Sequence, residues 1–109
     1  MSQAHVLVVD DDPAVRDVLQ EVLRQEEYSV STAEESAAAI RAVKDSVIHI
    51  VITDFQLPDI DGLEIIDRLA KLDAKIIPIM MTGFGTIETA VRAMKSGAFD
   101  FITKPFDLE

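Results

Sequence analysis

The chain has 109 residues, with 20 Asp and Glu against 10 Lys and Arg, a formal net charge of -10, and no Cys. A chain of this length forms one domain and buries enough apolar surface to fold without disulfide bonds or a structural metal. The absence of Cys excludes thiol catalysis, cysteine-ligated zinc and iron–sulfur clusters, and the acidic balance argues against direct nucleic-acid binding. We predict no membrane span, no secretory signal and therefore a cytoplasmic location, because no apolar run approaches the roughly 20 residues that cross a bilayer.

Four apolar stretches and one weaker, alternating stretch predict strands, and four helical patterns lie between them. Stretches that stay apolar without alternating are typical of strands buried on both faces, whereas the alternating second stretch suits an edge strand. Asp12 is expected to cap the first helix, with Pro13 in its first turn. In chain order, the predicted elements are strand 5–9, helix 13–25, strand 28–32, helix 35–44, strand 47–53, helix 63–72, strand 75–81, helix 86–95 and strand 99–103.

This alternation predicts an α/β fold, a doubly wound parallel five-stranded sheet with helices on both of its faces. The pattern ends at Glu109, shortly after the fifth strand, where a fifth helix would be expected. We therefore interpret residues 1–109 as one domain, with the last helix absent from this chain, and as a fragment of a longer protein.

Polar side chains collect at the carboxyl ends of the predicted strands, the edge at which open parallel sheets bind their ligands. Neighbouring carboxylates repel one another unless a cation neutralises them, and an all-oxygen ligand set favours Mg²⁺ where phosphate is also bound. A lysine and a hydroxyl suit an incoming anion, so the pattern indicates metal-assisted phosphoryl transfer to a carboxylate. The residues at this edge are Asp10, Asp11, Asp12, Asp54, Thr82 and Lys104.

Three segments carry a resemblance to a known family: VLVVDDDPAVRDVL, IVITDFQLPDIDGLEII and IPIMMTGFGTIETAVRAMKSGAFDFITKPF. Together they resemble the receiver domain of two-component response regulators over nearly the whole chain. The last segment is similar to receivers of the nitrogen-regulation, dicarboxylate-transport and nitrogen-fixation regulators. The resemblance implies a flavodoxin-like sheet with strand order 2-1-3-4-5 and a phosphorylation-dependent signalling switch. It also implies a sensor histidine kinase as phosphoryl donor and an output domain or protein outside this chain, with transcription regulation as the first expectation.

The resemblance assigns the metal and the phosphoryl group to particular residues. Asp54 would accept the phosphoryl group. Asp11 would bind Mg²⁺ directly and Asp10 through water, with Asp54 and the backbone carbonyl of Gln56 as further ligands. A domain of this kind assists its own phosphorylation and dephosphorylation without being a turnover enzyme.

The resemblance also implies a switch that responds to the phosphoryl group. Lys104 would pair with a phosphoryl oxygen, Thr82 would move towards it, and Phe101 would turn inward behind Thr82. Two positions depart from the usual family pattern, because Phe101 has no hydroxyl and Phe84 is apolar where many receivers carry a polar group. These departures leave the dephosphorylation rate open.

Two other functions stay open on the sequence alone. A phosphohydrolase of the haloacid-dehalogenase type also forms an aspartyl phosphate, and Asp10 and Asp12 form its Asp-x-Asp pattern, but this function leaves Asp54 without a role. A binding module that uses the fold without phosphorylation would not need the acidic group, Thr82 or Lys104. A homodimer is a further expectation, through the helix predicted at 86–95 and the fifth strand, or through apolar surface left uncovered by the absent helix.

Overall fold

The structure, a computed structural model, describes residues 4–54, 57–60, 62–82 and 100–103. In chain order its elements are β1 (His5–Val9), α1 (Pro13–Gln25), β2 (Ser29–Ala33), α2 (Ser36–Asp45), β3 (Ile50–Asp54), α3 (Gly62–Leu72), β4 (Ile77–Thr82) and β5 (Asp100–Thr103). All neighbouring strands are parallel, and the sheet order is β2-β1-β3-β4-β5. The predicted α/β fold and its strand order are confirmed, while the helix predicted at 86–95 lies outside the described residues.

The two central strands, β1 and β3, are buried on both faces because helices cover the sheet from both sides. On one face, Leu7 and Val51 pack in a cluster with Ile65 of α3 and residues of α2. On the other face, Val8 and Ile52 pack in a cluster with Leu19 of α1. Consecutive strand residues point to opposite faces, so both clusters draw on the same short strands. This accounts for the non-alternating apolar sequences of β1 and β3.

The third strand was predicted at 47–53, and this start was wrong, since β3 begins at Ile50. The His49 N–H donates to the carbonyl of His5 at 2.9 Å, and His5 is the first residue of β1. Residues before His49 therefore lie beyond the start of β1 and cannot extend the strand pairing. Val47 is 73% exposed despite its apolar side chain. The strand also continues one residue further than predicted, so Asp54 is its last residue.

The second and fourth strands also begin later than predicted, because a local hydrogen bond occupies the residues before each strand. The Tyr28 N–H donates to the carbonyl of Leu23 at 3.0 Å, which ties Tyr28 to the turn that follows α1. The Lys75 N–H donates to Asp73 Oδ1 at 3.0 Å in the turn that precedes β4. Each strand ends one residue later than predicted, and Thr82 is thus the last residue of β4.

Among the described residues, the three helices differ from their predicted bounds by no more than one residue. α1 has the predicted bounds, and the predicted cap is confirmed because Asp12 accepts a hydrogen bond from the Ala14 N–H at 2.9 Å. α2 and α3 begin at Ser36 and Gly62. Within the described part of the chain, no helix is long and apolar enough to cross a bilayer.

The N-terminus of α2 is capped from another part of the chain. Its own N-cap residue, Glu35, makes no side-chain capping bond. Instead, Asp59 in the β3–α3 loop accepts the Ser36 N–H at Oδ1, at 3.2 Å, and the Ser36 hydroxyl at Oδ2. The hydroxyl hydrogen bond lowers the pKa of the Asp59 carboxyl below its ordinary value of 3.8. Asp59 therefore ties the loop after β3 to the start of α2.

We expect Asp59→Ala to lower the free energy of unfolding by about 1 kcal/mol at neutral pH, as for loss of a helix N-cap. Because the folded state lowers the pKa of Asp59, this contribution is present above pH 3.8 and is lost as the pH falls through the folded-state value. Urea unfolding of wild type and variant at neutral pH and well below pH 3.8 measures both effects. Glu35→Ala is the matched control and should change stability little, since Glu35 makes no capping bond. Equal effects of the two variants would contradict this account of the cap.

Candidate metal and phosphoacceptor site

The register of β1 against β3 brings two carboxylates together at the carboxyl edge of the sheet. Val9 pairs with Thr53 in this parallel pair. The next residue of each strand is an aspartate, Asp10 after Val9 and Asp54 after Thr53, so the two lie on adjacent strands at one level. Asp11 follows in the turn towards α1. The proximity expected from the strand ends is therefore present.

Asp10, Asp11 and Asp54 form a group that could hold a metal ion. Each offers one carboxylate oxygen, and these oxygens lie within 4.8 Å of one another. Mg²⁺ binds oxygen ligands at about 2.1 Å in octahedral geometry, so its opposite ligands lie about 4.2 Å apart. Three hard oxygen donors at this spacing fit Mg²⁺ after small side-chain adjustments. Asp10 is fully buried, Asp54 half-buried and Asp11 exposed, so the group opens towards solvent on one side.

Hydrogen bonds fix Asp10 at the end of β1. Its N–H donates to the carbonyl of Ala33 at 3.0 Å, which extends the β1–β2 pairing by one residue. Its Oδ1 accepts the Asp12 N–H at 2.9 Å. Its carbonyl oxygen accepts a hydrogen bond from Arg16 Nη1 at 2.8 Å. Arg16 is not among the predicted site residues, although a basic residue in the second turn of a helix that follows an acidic loop is an available signal.

Asp12 has a different role from its two neighbours. It is exposed, its Oδ1 accepts the Ala14 N–H, and its carbonyl oxygen accepts the Arg16 N–H at 3.1 Å. Among the residues that the structure describes, the metal-capable group consists of Asp10, Asp11 and Asp54, without Asp12. The second aspartate of the Asp-x-Asp pattern is therefore the cap of α1 and not a member of the acidic group.

The other predicted site residues belong to the same edge or lie outside the described residues. Asp54 pairs with Met81, so Thr82 stands one position further along β4, the adjacent strand. Thr82 pairs with Thr103 of β5, and Phe101 pairs with Met80 two positions earlier. The topology thus places the ends of β1, β3, β4 and β5 at one edge. Gln56 and Lys104 lie outside the described residues, and their roles stay predictions.

Comparison with known proteins identifies the family that combines this fold with an acidic group at the carboxyl edge of the sheet. The sequence profile of the response regulator receiver domain matches residues 6–109. The chain belongs to this family, and the resemblance predicted from the sequence is confirmed. The DNA-binding transcriptional regulator NtrC of Azospirillum brasilense is 39% identical over 109 residues. That alignment covers 100% of this chain and 23% of the relative, so the chain spans about a quarter of the relative's length.

Two solved structures show the same fold. The beryllofluoride-activated NtrC4 receiver domain dimer superimposes with a TM-score of 0.89 at 35% identity, covering 95% of this chain and 86% of that one. A response regulator from Burkholderia pseudomallei, solved with a phosphorylated aspartic acid, a calcium ion and citrate, has a TM-score of 0.89 at 27% identity. It covers 97% of this chain and 62% of that one.

We expect Asp11→Asn to weaken Mg²⁺ binding at least tenfold, because the substitution removes one of three anionic ligands from the group. Asp12→Asn is the matched control. It removes the same charge one residue away, keeps an acceptor for the cap of α1, and should leave the dissociation constant close to that of wild type. Isothermal titration calorimetry with MgCl₂ on the three proteins measures the effect. Equal weakening by both substitutions would show that net charge, and not the acidic group, sets the affinity.

Proposed function

We propose that this domain is a phosphorylation-dependent switch in which Asp54 accepts a phosphoryl group from a sensor histidine kinase with the assistance of Mg²⁺. The observation that carries the proposal is the meeting of Asp10, Asp11 and Asp54 at the carboxyl edge of a receiver-family sheet. Phosphorylation of an aspartate in the Burkholderia structure, with a cation present, supports it.

The chemistry requires a carboxylate nucleophile that is partly open to solvent. Asp54 is half-buried at the end of β3, which leaves it accessible to a donor while the sheet fixes its position. One of its oxygens attacks the phosphorus of a phosphohistidine, a new O–P bond forms, and the P–N bond breaks with its electron pair returning to the imidazole. Bound Mg²⁺ would neutralise the charge that three carboxylates and the phosphoryl oxygens bring together. The same arrangement would let water attack the phosphoryl group later, so the domain assists both steps without turning over a substrate.

The proposed switch uses residues on the neighbouring strands. Thr82 at the end of β4 would donate its hydroxyl to the phosphoryl group, and Lys104, which follows β5, would pair with a phosphoryl oxygen. Phe101 on β5 would turn inward behind Thr82. Their support is the placement of β4 beside β3 and of β5 beside β4, with their carboxyl ends at the same edge, and the family's motif pattern. Phosphorylation of Asp54 would in this way change the conformation of the domain on the side of β4 and β5.

The proposed partners follow from the relatives. NtrC of Azospirillum brasilense is a DNA-binding transcriptional regulator about four times as long as this chain, which supports an output domain outside residues 1–109 and control of transcription in the cytoplasm. In this interpretation, residues 1–109 are the receiver part of a longer regulator. The dimer formed by the activated NtrC4 receiver supports a homodimer of the phosphorylated form.

The two alternative functions find less support. The phosphohydrolase needs both aspartates of the Asp-x-Asp pattern, but Asp12 caps α1, and the family match is to receiver domains. A binding module that works without phosphorylation would have no use for an acidic group around Asp54.

We expect wild-type protein incubated with acetyl phosphate and Mg²⁺ to gain one phosphoryl group that hydroxylamine removes, because an acyl phosphate is sensitive to this nucleophile. Asp54→Asn should gain none. Intact-mass spectrometry measures both results. Asp67→Asn, which changes an exposed aspartate on α3, is the control and should be phosphorylated like wild type. Steady release of phosphate from a generic phosphomonoester, dependent on Asp10 and not on Asp54, would contradict the proposal and favour the phosphohydrolase.

A further inference from the structure

Arg16 connects the first helix to the turn that carries two of the three carboxylates. It is the fourth residue of α1, it is half-buried, and its Nη1 donates to the carbonyl oxygen of Asp10 at 2.8 Å. Asp10 is the first residue after β1, where the turn towards α1 begins. The guanidinium therefore contacts the backbone of the acidic group and supplies a positive charge near it.

We infer that Arg16 is a positioning residue for the cation site, which holds the turn of Asp10 and Asp11 in a metal-binding geometry through the Asp10 carbonyl. The inference rests on the proposed function of this site. Two further hydrogen bonds of the turn run from backbone N–H groups to its carboxylates: Asp12 N–H to Asp10 Oδ1, and Ala14 N–H to Asp12 Oδ1. The Arg16 side chain can thus be replaced without changing the set of carboxylates.

Two effects of Arg16 on a cation have opposite signs, so the direction of a change in affinity distinguishes them. The guanidinium charge repels a divalent cation, and its removal alone would tighten binding. The hydrogen bond to Asp10 orients the turn, and its removal would weaken binding, as is usual when a partner of metal ligands is lost. Because Arg16 is half-exposed, solvent and salt screen its charge, whereas the hydrogen bond acts on a fully buried residue. We therefore expect the positioning effect to be the larger.

The surroundings of Arg16 indicate that replacing its side chain changes the fold little. The side chain borders an open cavity of about 190 Å³ that is also lined by Thr32, Glu34 and Ala38. A shorter side chain at this position leaves more room for water and no void inside the apolar clusters. Metal affinity can therefore be changed here with little change in the free energy of unfolding.

The test is a titration of the purified chain with Mn²⁺ alone, followed by electron paramagnetic resonance of the free ion, without any phosphodonor. We expect Arg16→Gln to raise the dissociation constant about tenfold, the lower end of the effect of outer-shell partners. Arg24→Gln removes the same charge from an exposed position in the last turn of the same helix and should bind like wild type. Arg16→Lys keeps a donor and should recover part of the lost affinity.

Wild-type or tighter Mn²⁺ binding by Arg16→Gln would overturn the inference, and so would an Arg16→Lys variant that binds no better than Arg16→Gln. Thermal unfolding in EDTA should give similar midpoints for all variants, and saturating Mg²⁺ should restore phosphorylation of Arg16→Gln by acetyl phosphate. If Arg16→Gln does not fold, Arg16→Met, which keeps an unbranched stem, is judged by the same criterion. Absence of Mn²⁺ binding in wild type would contradict the proposed function itself, whereas equal binding by every variant would contradict only the role of Arg16.

Discussion

The register between β1 and β3 is the constraint on which the acidic site depends. Val9 stands opposite Thr53, and an aspartate follows each of them: Asp10 directly after β1 and Asp54 as the last residue of β3. A shift of one residue would turn each apolar side chain of the strand to the other face, and both apolar clusters would be lost. The packing of the core therefore fixes the distance between Asp10 and Asp54. Carboxylates that repel one another are held together by apolar contacts that lie further down the same strands.

This arrangement concentrates negative charge at the end of the sheet, beyond the apolar clusters of the core. Asp10 is fully buried, and Asp11 and Asp54 each offer an oxygen within 4.8 Å of it. Neighbouring carboxylates repel one another, and a cluster of this kind is expected at a functional site. Asp12 shows the contrast, because its carboxylate stabilises the start of α1 and belongs to local structure.

Much of this molecule could be predicted from local sequence. The bounds of α1 follow from its helical spacing, Pro13 and the Asp12 cap, and the strand ends place the acidic residues at one edge. The features that could not be predicted from local sequence depend on partners that are distant in the chain. β3 begins at Ile50 because β1 offers its first partner at His5, and the N-terminus of α2 is capped by Asp59, 23 residues beyond Ser36. A basic residue after the acidic loop could be read from the sequence at Arg16, but its acceptor could not, because this acceptor is a backbone carbonyl.

Arg16 and Asp59 each connect a loop at the carboxyl end of the sheet to a helix, and the two helices lie on opposite faces of the sheet. Arg16 belongs to α1, which covers one face, and Asp59 binds the start of α2, which covers the other. The turn after β1 and the loop after β3 are therefore both tied to helices. In the proposed function, a site held in this way would bind a cation and a phosphoryl group without large rearrangement of β1 and β3. In the proposed switch, the movement caused by phosphorylation of Asp54 then has to occur on the other side of β3, where β4 and β5 carry Thr82 and Phe101.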